Sequence, residues 1–181
     1  MLAYLFVLVA VAVRFMPHPF AFTPVAAALL YFGARGSRRQ LWVPVALLAA
    51  SDVILTRFVY AYHFSWDHYV TWIWYAAILW LGTGLRESAA LSEAKDWLRV
   101  GGASLASSVS FFIVSNFAAW ACWTDMYPRT LAGLMTSYAA GLPFFRRGLE
   151  GDFLFTALIF GVPAAAALLA HTGKTHNTAA V

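Results

Sequence analysis

Residues 153–170, FLFTALIFGVPAAAALLA, form an apolar stretch without a charged side chain. Its length approaches the roughly twenty residues that an α-helix needs to cross the ~30 Å hydrocarbon core of a bilayer. Lipid offers the backbone no hydrogen bonds, so a continuously apolar crossing segment is expected to be helical. Five further apolar runs precede this one, at residues 2–13, 24–32, 41–58, 70–85 and 100–121. The sequence therefore predicts an all-α integral membrane protein with six transmembrane helices.

The composition supports a lipid environment. Of the 181 residues, 62% are hydrophobic and 11% are charged, whereas a soluble domain has about a quarter charged residues. The net charge of +4 lies mostly in short connections, which favours a role in membrane orientation over nucleic-acid binding. The single cysteine, Cys122, excludes an internal disulfide and a CxxC pair.

The whole chain, 1–181, is predicted to be one domain, with a helical bundle over 1–171 and a flexible polar tail over 172–181. The first charged residue, Arg14, follows the first apolar run. A cleavable signal peptide carries its basic residues before that run, so the first run is expected to be a retained helix.

Residues 131–145 are apolar but number only about fifteen, and Gly141 and Pro143 are expected to end the segment. We interpret it as a re-entrant or interfacial segment before the last helix. The alternative is a seventh crossing.

Basic residues predict the orientation, because short cytoplasmic loops are enriched in Lys and Arg. Two connections carry them: Arg35, Arg38 and Arg39 in one, and Arg86, Lys95 and Arg99 in the other. Both lie on the same side if every run crosses, which makes the N-terminus cytoplasmic. Arg146 and Arg147 disagree with the rule under six crossings.

This orientation gathers polar and aromatic side chains in the outer half of the bilayer, where buried polar groups usually face a cavity or one another. The candidate ligand-binding residues are Arg14, His18, Asp52, His63, Trp66, Asn116, Trp120 and Asp152. Arg14 and Asp52 are expected to form an ion pair with either a structural or a ligand-contacting role. Ser104, Ser108 and Ser115 share a helix face and are expected to serve helix contacts or to line the cavity.

The sequence lacks the common catalytic and nucleotide-binding motifs. It has no GxSxG, HExxH or phosphate-binding glycine loop, so neither an enzyme nor a nucleotide site is predicted. The spacing of His63, Asp67 and His68 matches no metal motif, and neither a metal nor another cofactor is expected.

Two stretches carry a resemblance. One contains Tyr138–Phe145 followed by Gly151–Phe155, and the other contains Arg14, Pro17–Phe20 and Phe22–Ala26. Both stretches resemble the substrate-binding (S) components of energy-coupling-factor vitamin transporters. They also resemble a family of small uncharacterised bacterial membrane proteins with FTP and GLPFF stretches. The resemblance implies a bacterial inner membrane, a vitamin-like ligand and a membrane coupling subunit.

Carried over by position, the resemblance implies further ligand-binding residues beside Asn116: Pro19, Phe22, Thr23, Tyr138, Pro143 and Phe144. The first helix lacks the AxxxA docking pattern of such subunits, and the pairs Ala46/Ala50 and Ala166/Ala170 are the nearest substitutes.

The leading hypothesis is a membrane-embedded subunit that binds or takes up a small molecule and depends on a partner for energy. The alternative is a structural accessory subunit of a larger membrane complex, for which the small residues at Ala26–Ala28 and Ala164–Ala167 suit close helix packing. An intramembrane enzyme is a third hypothesis, and it would need two reactive side chains around a cavity.

Overall fold

The computed structural model describes residues 1–17, 21–123 and 125–178, the last eight as backbone only. Within these residues the chain is helical and has no strand, which confirms the predicted all-α class. The helices are α1 (Leu2–Val13), α2 (Val25–Arg35), α3 (Trp42–Ile54), α4 (Asp67–Thr83), α5 (Ala94–Cys122) and α6 (Leu131–Thr178). A π-helical turn, Leu55–Val59, extends α3, and short 3-10 turns at Arg38–Gln40 and Ser88–Ala90 precede α3 and α5.

Three of the described helical segments are long and apolar enough to cross a membrane. They are Arg38–Val59, which contains α3, Ala94–Cys122, which is α5, and Leu131–Ala170, which is most of α6. The apolar helices α1 and α2 have only 12 and 11 residues. At about 1.5 Å per residue they are shorter than the ~30 Å core of a bilayer.

Helix α2 forms the centre of the bundle. Its residues from Val25 to Ala34 are all buried, and it packs against α1, α4, α5 and α6. A helix that is apolar all round can be buried on every side without leaving charge in the core. Tyr31 packs edge-on against Phe6 and Phe160, with ring centroids 5.1 Å apart in both pairs.

Two glycines allow α2 and α4 to approach closely. A Cβ atom on Gly33 would lie 2.8 Å from both the Cα and the carbonyl carbon of Gly82, well inside van der Waals contact. A Cβ atom on Gly82 would lie 2.9 Å from the Cα of Leu30. Small residues at a crossing let the two backbones touch, as is common where helices pack in membranes.

Helices α5 and α6 form an antiparallel hairpin held by polar contacts along its length. Near the turn, the Ser137 hydroxyl donates to the Asn116 carbonyl at 2.8 Å. Further along, the Thr156 hydroxyl donates to Ser104 Oγ at 3.1 Å. Ser108 also contacts α6, so the serine face predicted from sequence serves helix contacts, while Ser115 lies at a cavity.

The predicted break before the last helix is absent. Residues 131–145 are not a separate re-entrant segment but the first part of α6, which continues through Gly141 and Pro143. Because no reversal interrupts α6, the seventh crossing of the alternative interpretation is absent as well. Helix α6 also continues to Thr178, into the predicted polar tail. The reason lies in packing, since contacts with α5 hold α6 on both sides of Pro143, whose side chain is exposed.

The two basic connections meet at one end of the bundle. Arg86, after α4, donates from Nη2 to the Gly36 carbonyl after α2 at 3.0 Å. Arg99 reaches back from α5 to Ser88 Oγ at 3.5 Å. The connections after α1, α3 and α5 therefore lie towards the other end of the bundle.

Candidate ligand-binding cavity

A cavity of about 710 Å³ lies where the end of α1, the start of α2 and the end of α3 face α4, α5 and α6. This volume is in the range of small-molecule sites, roughly 300–1,000 Å³. Its polar lining residues are Arg14, Thr23, Asp52, Thr56, Tyr60, Tyr75, Ser108, Ser115, Asn116 and Asp152. Its aromatic lining also includes Trp74, Phe111, Phe112, Phe144 and Phe145. The wall is thus largely apolar, with a few polar groups that converge on one space.

Arg14 and Asp52 form the predicted ion pair at the cavity wall. Arg14 Nη2 donates to Asp52 Oδ1, and Nη1 donates to Ser51 Oγ at 2.6 Å and to the Leu48 carbonyl at 3.4 Å. Both side chains are mostly buried, with 16% and 9% of their surfaces exposed. One guanidinium therefore ties the end of α1 to three positions on α3.

Helix α4 completes the environment of the Asp52 carboxylate. Trp72 Nε1 donates to Oδ2 at 2.9 Å, and the Tyr75 hydroxyl lies 3.5 Å from Oδ1. Hydrogen bonds from several donors offset the cost of removing a carboxylate from water. Asp52 is thereby satisfied by protein groups, and the pair is neutral as a unit.

Trp72 and Tyr75 were not among the residues predicted from sequence. They lie three positions apart and therefore on one face of α4, and both have an aromatic ring with a polar edge. This spacing, in a helix that faces an acidic residue, is the signal that could have identified them.

The π-helical turn after α3 supplies another unpredicted cavity residue. Thr56 Oγ1 lies 2.8 Å from His68 Nε2, and His68 Nδ1 lies 3.2 Å from the Ser65 carbonyl. Single π-helical turns are frequent at functional sites. Here the turn brings a hydroxyl to the cavity and connects it to the start of α4.

Asp152 lies on the α6 side of the cavity. Ser108 Oγ donates to Asp152 Oδ2 at 2.6 Å. Among the described residues Asp152 forms no ion pair with Lys, Arg or His. Its environment thus differs from that of Asp52, which has a cation and two further donors.

Asn116 lines the cavity from α5. Its Nδ2 donates to the Phe112 carbonyl one turn earlier at 2.8 Å, while within the described residues Oδ1 accepts no hydrogen bond. The amide lies against Gly141, where a Cβ atom would overlap it. Absence of a side chain at residue 141 therefore makes room for the amide.

Six of the predicted site residues line this cavity: Arg14, Thr23, Asp52, Asn116, Phe144 and Asp152. Three others on or near the same elements do not. Phe22 packs against Phe155, with centroids 5.2 Å apart, and Tyr138 donates to the Ile113 carbonyl at 3.1 Å. Pro143 is exposed on α6.

The remaining predicted residues lie elsewhere. His63 lines a second depression that also contains Cys122 and Asp125. Trp66 is 75% exposed, and Trp120 donates to the Pro128 carbonyl at 3.0 Å. His18 and Pro19 lie outside the described residues. Within the described part of the chain, no three His, Cys, Asp or Glu side chains are grouped as metal ligands would be.

Comparison of the chain with known proteins identifies a family. Neither the curated proteins nor the solved structures compared with it give a match. A family model, described as a family of unknown function (DUF6580), matches residues 1–174. The match covers nearly the whole chain and includes every residue that lines the cavity. The chain therefore belongs to the DUF6580 family, a family of unknown function.

Proposed function

We propose that this protein is a bacterial inner-membrane protein that binds a small molecule in the 710 Å³ cavity and acts as the binding subunit of an uptake system. The observation that carries the proposal is the cavity itself, in which charged and amide groups meet aromatic walls. Membrane helices rarely place ionisable groups at depth without a functional reason. We propose binding rather than catalysis for these groups.

The surface of the bundle supports membrane insertion, for which the proposed topology is six crossings. Every described helix except α2 has large apolar side chains that are exposed, such as Leu5 on α1, Ile73 on α4 and Leu158 on α6. Apolar area of this extent is unfavourable in water and suits lipid. Helix α6 has 48 residues and is therefore about 72 Å long, so it extends well beyond the ~30 Å hydrocarbon core.

The charge distribution supports a cytoplasmic N-terminus. The basic connections after α2 and α4 lie together at one end of the bundle, linked by Arg86 and Gly36. Under the positive-inside rule this end faces the cytoplasm. Arg14 follows α1 and therefore lies towards the opposite end, which supports a cavity in the outer half of the bilayer, where an incoming solute would be captured.

Uptake also requires energy, and the sequence contains no nucleotide-binding motif. A membrane coupling subunit is the partner that the resemblance to S components implies. The small residues Ala166 and Ala170 lie on the exposed part of α6. Such a face suits close packing against a partner helix in lipid.

A structural accessory subunit is the second candidate function. The exposed alanines of the same part of α6, Ala165–Ala167, favour it because no other element of the described bundle buries them. The Arg14–Asp52 pair would then be purely structural. The cavity favours ligand binding over this candidate, since an accessory subunit has no need of an open polar space beside that pair.

Native mass spectrometry of the protein, purified gently from its source membrane, tests the proposal. We expect a small molecule to co-purify with the wild type and to be lost from Ala119→Phe, which fills the cavity from α5. Ala106→Phe is the matched control, because Ala106 is exposed on the same helix and away from the cavity. Retention of the molecule by Ala119→Phe, or stoichiometric protein partners without any small molecule, would refute ligand binding at this site.

A further inference from the structure

The charges that line the cavity do not balance. Its described lining contains three charged side chains: Arg14, Asp52 and Asp152. Arg14 and Asp52 neutralise each other, and Trp72 donates a further hydrogen bond to Asp52. Asp152 is left over. The lining therefore has an excess of one acidic group.

Asp152 receives little compensation from the protein. Within the described residues its hydrogen bond comes from the Ser108 hydroxyl at 2.6 Å, and no Lys, Arg or His pairs with it. Ser108 is itself engaged with the Ser104 carbonyl at 3.2 Å. An ionised carboxylate in this situation is costly to bury unless a proton or another cation neutralises it. The cavity next to Asp152 is the space from which such a cation can come.

The aromatic walls suit the same kind of ligand. Phe111 packs on Trp74 with ring centroids 4.7 Å apart, and Phe112 packs on Phe145 at 4.8 Å, and all four line the cavity. The faces of aromatic rings attract cations, most strongly where water is excluded. An anionic ligand would meet both these faces and the Asp152 carboxylate unfavourably, while the guanidinium of Arg14 is already occupied by Asp52.

We propose that the cavity selects a small organic cation with a protonated amine, and that Asp152 is its counter-ion. The ammonium group replaces the missing positive charge beside Asp152, and the aromatic rings hold the apolar body of the ligand. Asn116 Oδ1 offers a further acceptor in the same cavity. This inference rests on the proposed binding function and adds the class of ligand.

Matched sets of probes test the charge preference in purified protein. Each set has one body (phenyl, indole or cyclohexyl) with an ethylamine, ethanol or acetate arm, and binding is measured by calorimetry. We expect at least one amine to bind about tenfold or more tightly than its alcohol, as befits a hydrogen bond to a charged group, and the acids to bind worst. The inference would be overturned if, in every set, the alcohol or the acid bound as tightly as the amine or more tightly.

Two variants on one helix locate the effect. Asp152→Asn keeps the shape and the hydrogen bond from Ser108 but removes the charge, so the preference of the amine over its alcohol should vanish. Glu150→Gln, whose side chain is 58% exposed and paired with Arg146, should leave that preference unchanged. A preference that survives in Asp152→Asn would assign the selectivity to another group and refute the role of Asp152.

The charge of the ligand that co-purifies with the wild type, together with its loss from Ala119→Phe, separates the two proposals. A cationic molecule that Ala119→Phe excludes supports both proposals. A neutral or anionic molecule that Ala119→Phe excludes overturns the inference but leaves the binding function standing. If Ala119→Phe excludes no molecule and no probe binds, both proposals fall.

Discussion

The close backbone approach of α2 to α4 provides a sharp test of the architecture. Gly33→Ala places a methyl group against α4, where a Cβ atom would lie 2.8 Å from the Cα and carbonyl carbon of Gly82 and overlap the Leu79 carbonyl oxygen. All of these are backbone atoms, so no rotamer change relieves the overlap. The two helices must move apart.

The magnitude follows from the size of that overlap. Ordinary carbon contacts lie at about 3.5–4.0 Å, so α2 and α4 must separate by about 1 Å. Overpacking in a core typically costs about 1–3 kcal/mol. We expect the upper half of that range, about 2–3 kcal/mol, because α2 is buried from Val25 to Ala34 and a shift there disturbs its contacts with four helices.

Thermal unfolding in detergent, followed by tryptophan fluorescence, measures the effect. A loss of 2–3 kcal/mol corresponds to a fall in Tm of about 5–10 °C for a chain of this size. Gly102→Ala is the matched control, since a Cβ atom there has nothing within 4 Å. The control should leave Tm unchanged or raise it, because alanine favours a helix over glycine by about 1 kcal/mol.

Equal melting temperatures for the Gly33 and Gly102 variants would refute the reasoning. Such a result would mean that α2 and α4 do not touch through their backbones. The central position of α2, and with it the wall of the cavity formed by α2 and α4, would then be incorrect.

Three further predictions concern the cavity. Arg14→Ala and Asp52→Ala should each destabilise the protein by about 3–5 kcal/mol, because each single change leaves a buried charge unpaired. The double variant should lose much less stability than the sum of the two single losses. Additive losses in thermal unfolding would contradict the ion pair. Trp72→Phe removes a hydrogen bond to a carboxylate and should cost about 1.5–3 kcal/mol of stability. The control Trp80→Phe, at a residue that is 74% exposed, should change Tm little. Equal shifts in Tm for the two variants would exclude the role of the indole N–H. Gly141→Ala displaces the cavity asparagine amide, which is a movable side chain. The variant should therefore weaken binding of the co-purified ligand about tenfold with little change in Tm. Unaltered affinity would show that the amide does not contact the ligand.

The Arg14–Asp52 pair shows how far the sequence predicts this site. Lone charges next to apolar runs are costly, and the alternation of helix directions puts these two at the same end of the bundle. Their contact could therefore be predicted. Trp72 could not be assigned to Asp52 in the same way, because its contact depends on how α4 is rotated about its own axis, and sequence periodicity leaves that rotation open.

The site residues that were predicted from a resemblance to another family show where prediction from the sequence fails. Phe22 and Tyr138 were predicted from a resemblance to S components, but Phe22 packs on Phe155 and Tyr138 on the α5 backbone. Proximity in sequence to Thr23 and Phe144 does not decide which side chain turns towards the cavity. Phe22 precedes α2 and Tyr138 lies six positions before Phe144 on α6, so only the packed arrangement of the helices decides which side chains line the cavity.

The sequence by itself determined the helical class, because long continuous apolar runs with few charges satisfy their backbone internally as helices, whereas barrel strands alternate apolar and polar residues. It also predicted the extent of α1, Leu2–Val13, which the following charge and prolines limit. Only the tertiary structure decided that α6 continues through Gly141 and Pro143 and that α2 is buried on every side. The physical reason is that local helix propensity amounts to a few kcal/mol at most, and the contacts of α6 with α5 and of α2 with four helices outweigh it.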